Sequence, residues 1–288
     1  MSNLLGTIQT MTVNRKIETG YVLKRKTMEA LLHHNEAKSE LAIDQKIDVF
    51  LYQNKKKQLI ATTYLPAIQI DIYGWAKVIE VIDGLGVFVN IGTTKEMLVS
   101  IDDLPLIEDV WPKPGDKLYV TLGNDRKGRL LAIPATEKIF ASEWNFASHE
   151  LLNKSVKGRV YHTSREGSAI ITEDGYRGFI HYTERKIEPR LGQLVEGRVI
   201  DVKDDCTINV SLRPLKQHSM YEDADMILIK LEENNGVIPF SDKSDPEDIR
   251  ETFNISKAAL KRALGKLMKE GKIEQRGGYT YSIKKTKE

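Results

Sequence analysis

Phe88 and Tyr119 are the side chains whose placement most directly suggests binding chemistry. In the run 87–91, Val87, Val89 and Ile91 share one face, while Phe88 and Asn90 share the other. In the run 118–122, Tyr119 and Thr121 stand opposite the apolar set Leu118, Val120 and Leu122. The pleat therefore assigns both rings away from the core. An outward ring is a platform for a nucleobase, and stacking one base contributes about 1–3 kcal/mol whatever its identity. Lys77 is placed to neutralise phosphate near these rings. For Phe88 the competing role is packing against a neighbouring domain. His33 and His181 either stack or donate to phosphate, or they cap strand ends. Lys55, Lys56 and Lys57 form a charged turn that phosphate could touch or solvent could cover.

Catalytic patterns are missing from the sequence. There is no Gly-Lys-Ser/Thr phosphate loop, and Asp83-Gly-Leu-Gly86 lacks the third glycine of a dinucleotide fingerprint. Neither a G-x-S-x-G elbow nor an HExxH pair occurs. The six histidines (His33, His34, His149, His162, His181 and His218) include no pair at the i,i+4 spacing that places two ligands on one helical face. The expectation is a protein that is not an enzyme and carries neither metal nor cofactor.

The elements that must position the binding residues read as short strands. Glycines and polar clusters at Asp83-Gly-Leu-Gly86, Pro114-Gly-Asp116 and Asp125 to Gly128 punctuate the runs, as in a small closed barrel. The pattern recurs. Glu29-Ala-Leu-Leu-His33, Glu96-Met-Leu-Val-Ser100 and Arg177-Gly-Phe-Ile-His181 correspond, and so do the turns beginning at Asn54, Asp125 and Lys203. A repeat this long indicates tandem small domains rather than a solenoid. The expected units are 1–65, 70–134 and 153–214, with a helical connector at 135–152 carrying Ile139, Phe140, Trp144 and Phe146.

Residues 219–288 have a different character. Apolar Ala224, Ile227, Leu228 and Leu231 recur at helical spacing, and Ser244-Asp-Pro-Glu247 starts a second helix. Ser256 caps a third, with Leu260, Ala263, Leu264 and Leu267 on one side and Arg262, Lys266 and Lys269 on the other. Two strands around Gly277-Gly278 follow, completing a winged helix-turn-helix. Lys257, Lys261 and Arg276 add to the basic side chains that could dock on a nucleic-acid groove.

Charge agrees with local rather than global recognition. The formal net charge is only +2. Residues 216–253 hold four cations against ten anions, whereas 254–287 hold ten against two. The longest uncharged run, Gln58 to Ile70, is thirteen residues and contains Pro66. A bilayer span needs about 20 apolar residues, so no membrane association is expected. With one cysteine, Cys206, and no visible secretory signal, the chain reads as cytoplasmic.

The second unit resembles an S1 RNA-binding domain of the oligonucleotide-binding (OB) class. The matching stretches are Gly84 to Gly92, Glu96-Met-Leu-Val99, Pro114-Gly-Asp116 and Asp125-Arg-Lys-Gly-Arg129. The resemblance implies an RNA face containing Phe88, Asp125 and Arg129, with Leu85 and Ser100 where the family has a second aromatic and a histidine. In the first copy His33 matches that histidine, while Asn54 and Gln58 replace the acid and the arginine. In the third, His181 matches, while Ala169 replaces the aromatic and Thr207 the arginine.

The whole chain is similar to the bacterial conserved virulence factor B family. Val110-Trp-Pro-Lys-Pro-Gly-Asp116, Tyr182 to Gly192, Pro239 to Pro246 and Phe253-Asn-Ile-Ser-Lys257 carry that similarity. It implies a mainly β protein with a C-terminal α+β domain: three tandem S1-like OB-fold barrels followed by a winged helix. It also implies a non-catalytic binder of single-stranded RNA that acts after transcription. The alternatives are a DNA-binding regulator led by the winged helix and a scaffold docking on the ribosome or on RNA-processing proteins.

Overall fold

The computed structural model describes residues 4–54, 56–142, 144–214 and 216–283, the side chains of 216–220 excepted. Lys55 of the charged turn lies outside them. The chain forms two compact units, 1–212 and 213–288.

The first unit holds three five-stranded domains of barrel form, two of them closed. In the first, β1 (Ile8–Ile17), β2 (Gly20–Arg25), β3 (Met28–His33), β4 (Lys46–Gln53) and β5 (Leu59–Thr62) close in the order β1-β2-β3-β5-β4. The second contains β6 (Gly74–Ile82), β7 (Gly86–Asn90), β8 (Met97–Ser100), β9 (Lys117–Asn124) and β10 (Leu130–Pro134), in the order β10-β9-β6-β7-β8. The third contains β11 (Ser155–Thr163), β12 (Gly167–Thr172), β13 (Arg177–His181), β14 (Leu194–Val202) and β15 (Ile208–Ser211), closed in the same topology as the first.

Alternation fills each core. Val87, Val89, Met97, Val99, Leu118, Val120, Leu122 and Ala132 are buried together in the second barrel. Full closure, expected for all three, holds for two. The second is a five-stranded sheet whose edges β8 and β10 share this core without a hydrogen-bonded ladder. In the closed barrels only two parallel rungs span the corresponding seam.

Glycine opens the second strand of each barrel for a steric reason. Gly86 has φ +134, and a Cβ there would lie 2.1 Å from the carbonyl oxygen of Val99. Gly20 (φ +153) would meet the Leu32 oxygen at 2.0 Å in the same way. No side chain fits such an approach.

The connector is not the continuous helix expected over 135–152. Helix α1 spans only Glu137–Ala141, and a single 3₁₀ turn follows at His149–Leu151. Between them the Asn145 amide donates to the Gly175 oxygen at 2.7 Å, and Asn145 Nδ2 donates to the Asp174 oxygen at 2.7 Å. These bonds to the third barrel's hairpin satisfy the chain here without a further helical turn.

Barrels two and three are joined through residues conspicuous in the sequence. Arg190 grips Asp116 with Nε and Nη2 at 3.2 and 3.3 Å from its two oxygens. The amide of Leu191 donates to the Val110 oxygen at 2.9 Å, and Lys117 donates to the Gly192 oxygen at 3.1 Å. The stretches Val110–Asp116 and Tyr182–Gly192 are thus the two sides of one junction.

The second unit is built from α2 (Lys216–Glu233), β16 (Val237–Ile238), α3 (Pro246–Phe253), α4 (Lys257–Lys269), β17 (Ile273–Arg276) and β18 (Tyr279–Ser282). Asp245 caps α3 with Pro246 in its first turn, and the Ser256 hydroxyl accepts from the Ala259 amide. Ile227, Leu231, Ile249, Phe253, Leu260, Leu264 and Leu267 form its core. Gly277 and Gly278, at φ +57 and +87, make the two-residue hairpin turn of the wing. Strand β16, unforeseen in the sequence, adds to β18 as the third member of the sheet.

Candidate nucleic-acid interface

The outer face of the second barrel can be followed rung by rung. Phe88 pairs with Leu98 on β8 and with Glu80 on β6. Two residues along β7, Asn90 pairs with Lys77, which also faces Lys117 on β9. Two residues further along β6, Trp75 pairs with Tyr119. Phe88 is partly exposed, and Lys77 and Trp75 are exposed, while Ala76 and Val78 on either side of Lys77 are buried. Four residues at about 3.3 Å each put Phe88 and Trp75 about 13 Å apart along one surface.

Tyr119 is not the free platform that alternation alone suggests. Its ring is half-buried, 5.7 Å from Tyr73, 5.1 Å from Trp75 and 5.3 Å from Phe140 of the connector. Trp75, 40% exposed, is the accessible aromatic at this end of the face, and sequence reasoning missed it. The signal was present in Trp75-Ala-Lys-Val78, which alternates as the Phe88 run does.

Asp125 and Arg129 engage each other. Asp125 Oδ1 accepts from the amides of Lys127 and Arg129, both at 2.8 Å, and Oδ2 accepts from Arg129 Nε at 2.7 Å. The amide of Arg129, with these other donors, holds the carboxyl below its usual range. The Arg129 side chain remains 69% exposed, so the acid aims a guanidinium that can still reach phosphate.

The same turn is built three times. Asn54 Oδ1 accepts from Lys56 and Gln58 amides at 2.9 and 3.0 Å in the first barrel. In the third, Lys203 holds that position and the acceptor moves two residues on: Asp205 Oδ1 accepts from the hydroxyl and amide of Thr207 at 2.7 and 3.0 Å, and its carboxyl too lies below its usual range. Lys57, Gly128 and Cys206 occupy the matching positive-φ position.

The two histidines cap strand ends. His33 Nδ1 accepts from the Asn35 amide at 3.2 Å, and His181 Nδ1 accepts from the Thr183 amide at 3.4 Å. Ser100 does the same for Asp102, at 3.4 Å, in the second barrel. This fixes the imidazoles without using Nε2, and both rings are exposed. His181 also lies 4.4 Å from the Tyr182 ring.

The third barrel relocates its aromatic. Ala169, at the position of Phe88, pairs with Phe179 across the ladder, where the second barrel has Leu98. A Cβ on Gly167 would come within 2.6 Å of Phe179 Cζ, so the ring lies over that glycine. Phe179, His181, Lys203 and Asn209 line a groove of about 330 Å³. Sequence comparison missed Phe179 and Lys203 because register between strands is not local information. Ala169 itself is buried under the connector with Phe140 and Tyr161.

In the second unit, Lys261, Arg262, Lys269 and Arg276 are exposed and Lys257 is partly exposed. Arg276 pairs with Glu274 at 2.9 Å, and Lys257 Nζ lies 3.4 Å from the Lys243 oxygen. Lys266 differs from the expectation of an outward cation. Its ammonium lies 3.6 Å from the centre of the Tyr221 ring and 3.3 Å from Glu270, and only 13% of its side chain is exposed. Among the described residues no group of three His, Cys, Asp or Glu is placed to hold a metal ion. No described helix is long and apolar enough to cross a membrane.

Comparison with known proteins matches this architecture domain by domain. Residues 5–64 match the S1 domain, 73–133 the CvfB first S1-like domain, 140–214 the second domain of the virulence regulatory factor CvfB, and 225–281 the CvfB-like winged helix domain. Conserved virulence factor B of Staphylococcus aureus strain N315 is 36% identical over 272 residues, covering 93% of this chain and 90% of the relative. The chain belongs to the conserved virulence factor B family. Bacillus subtilis YitL, an uncharacterized protein, is 46% identical over 275 residues, covering 96% of this chain and 92% of that one. A Streptococcus pneumoniae crystal structure, described as a multidomain protein with nucleic acid binding domains, aligns with a TM-score of 0.64 at 36% identity. It covers 97% of this chain and 98% of its own. Membership makes this a chain of S1-like and winged-helix domains, both of them nucleic-acid-binding folds.

Proposed function

We propose that the chain is a non-catalytic binder of single-stranded RNA that regulates expression after transcription, virulence genes included. The observation that carries this reading is the outer face of the second barrel, where Phe88, Lys77 and Trp75 alternate ring, cation and ring along one surface. Unstacked bases suit such a face, whereas a duplex keeps its bases stacked and their Watson–Crick edges paired. Arg129, aimed by Asp125, and the groove at Phe179, His181 and Lys203 supply further contacts. Linking weak sites raises effective concentration, so the modules act together on one strand.

The test is competition at equilibrium. The full chain bound to a labelled RNA of about 25 nucleotides is challenged with unlabelled RNA of that sequence or with duplex DNA of equal length. The RNA should compete strongly and the duplex weakly. A second reading, duplex DNA led by the winged helix, draws on exposed Lys261, Arg262 and Lys269 along α4. It requires the opposite order, with binding abolished by Lys261→Glu/Arg262→Glu.

A further inference from the structure

Between barrels two and three, where the outer face of the second barrel ends at Trp75, lies a cleft of about 280 Å³. One wall is Trp75 and Tyr119 of the second barrel, and the connector contributes Phe140 and Trp144. The third barrel closes it with Arg159 and the stretch from Ile171 to Gly175. Its geometry is built rather than incidental. Arg190 clamps Asp116 across the same junction, and Phe140 packs 4.2 Å from the Tyr161 ring, so the walls are tied together on both sides.

Cations are placed over the rings. The Arg159 guanidinium lies 5.9 Å from the Trp75 ring centre and donates to the Gly192 oxygen at 3.3 Å. Arg177 lies 5.8 Å from the Trp144 ring and is held by Glu137 at 2.9 Å. Arg159 and Arg177 flank Ile171 on adjacent strands of the third barrel. Glu173, exposed at the rim, offers an acceptor for an exocyclic amine.

We infer that this cleft is a slot for one unstacked base of a single-stranded RNA, received against Trp75 with Arg159 beside it, where the strand leaves the second barrel. The inference rests on the RNA-binding reading above and adds a site to it. Two aromatic rings with planar cations beside them fit a π-face flanked by phosphate. An apolar peptide side chain would leave the Arg159 guanidinium at the cleft wall without an anionic group to meet. The cleft stands at the end of the surface that begins at Phe88, about 13 Å away, so one strand reaches both.

The test uses the full chain and a labelled oligoadenylate of about 12 nucleotides, comparing wild type with Trp75→Ala, Trp75→Phe, Arg159→Ala and Phe88→Ala. Trp75→Ala should weaken binding about five- to a hundredfold, the range expected for loss of one base stack. Trp75→Phe should retain most of the affinity, which a purely structural role for the indole would not predict. RNA should quench tryptophan emission in wild type and in Phe88→Ala at saturation, but much less in Trp75→Ala. Unchanged affinity and unchanged quenching in Trp75→Ala and Arg159→Ala, with Phe88→Ala still impaired, would overturn the slot and confine the RNA-binding face of the second barrel to Phe88 and Lys77. Absence of RNA binding by wild type would overturn both the slot and the RNA-binding reading.

Discussion

Asp125 accepts three hydrogen bonds within its own turn, so its first effect is on shape and its second on Arg129. Its folded pKa lies below the unfolded value. The stability it contributes is therefore complete above the ordinary carboxylate range and is lost as pH falls through that range to the lowered value. Asp125→Asn should flatten this part of the acid limb in thermal melts between pH 3 and 7. An acid limb identical to wild type would show that the turn is held without the charge. In the second unit, Ser256→Ala removes the acceptor for the Ala259 amide at the start of α4. It should cost about 1 kcal/mol in chemical denaturation, and no measurable loss would mean that water caps the helix equally well.

The connector is the element on which the relation of the second and third barrels depends. Phe140 is buried between Tyr119, at 5.3 Å, and Tyr161, at 4.2 Å. Phe140→Ala should destabilise the barrel unit by about 3–5 kcal/mol in denaturant unfolding; a loss below about 1 kcal/mol would mean the connector is not structural. What was legible in the sequence follows the same division between local and distant information. Alternation at 87–91 and 118–122, the caps at Ser256 and Asp245, and the Gly277-Gly278 turn are local signals, and the strands and helices formed there. The partners of Tyr119, the pairing of Asn145 with Tyr176 and the transfer of the third barrel's aromatic to Phe179 are set by contacts between elements far apart in sequence. No window of neighbouring residues contains them. Lys266 illustrates the limit within one helix: periodicity put it outward, yet Tyr221 on α2 reaches over it.

At the scale of the whole molecule, a net charge of +2 leaves little long-range steering, so affinity must come from local cations and rings. The logarithm of the binding constant should fall with that of salt concentration with a slope of about −0.7 per phosphate contact, totalling a few contacts. A slope near zero would remove Lys77, Arg129 and the basic helix from the interface. The most direct measurement is equilibrium binding of the full chain to a labelled single-stranded RNA of about 25 nucleotides, for wild type and Phe88→Ala, with circular dichroism on both. The account predicts preference for this RNA over duplex DNA and an affinity reduced about five- to a hundredfold in Phe88→Ala, with folding intact. Equal affinity of the two proteins, or preference for the duplex, would contradict it.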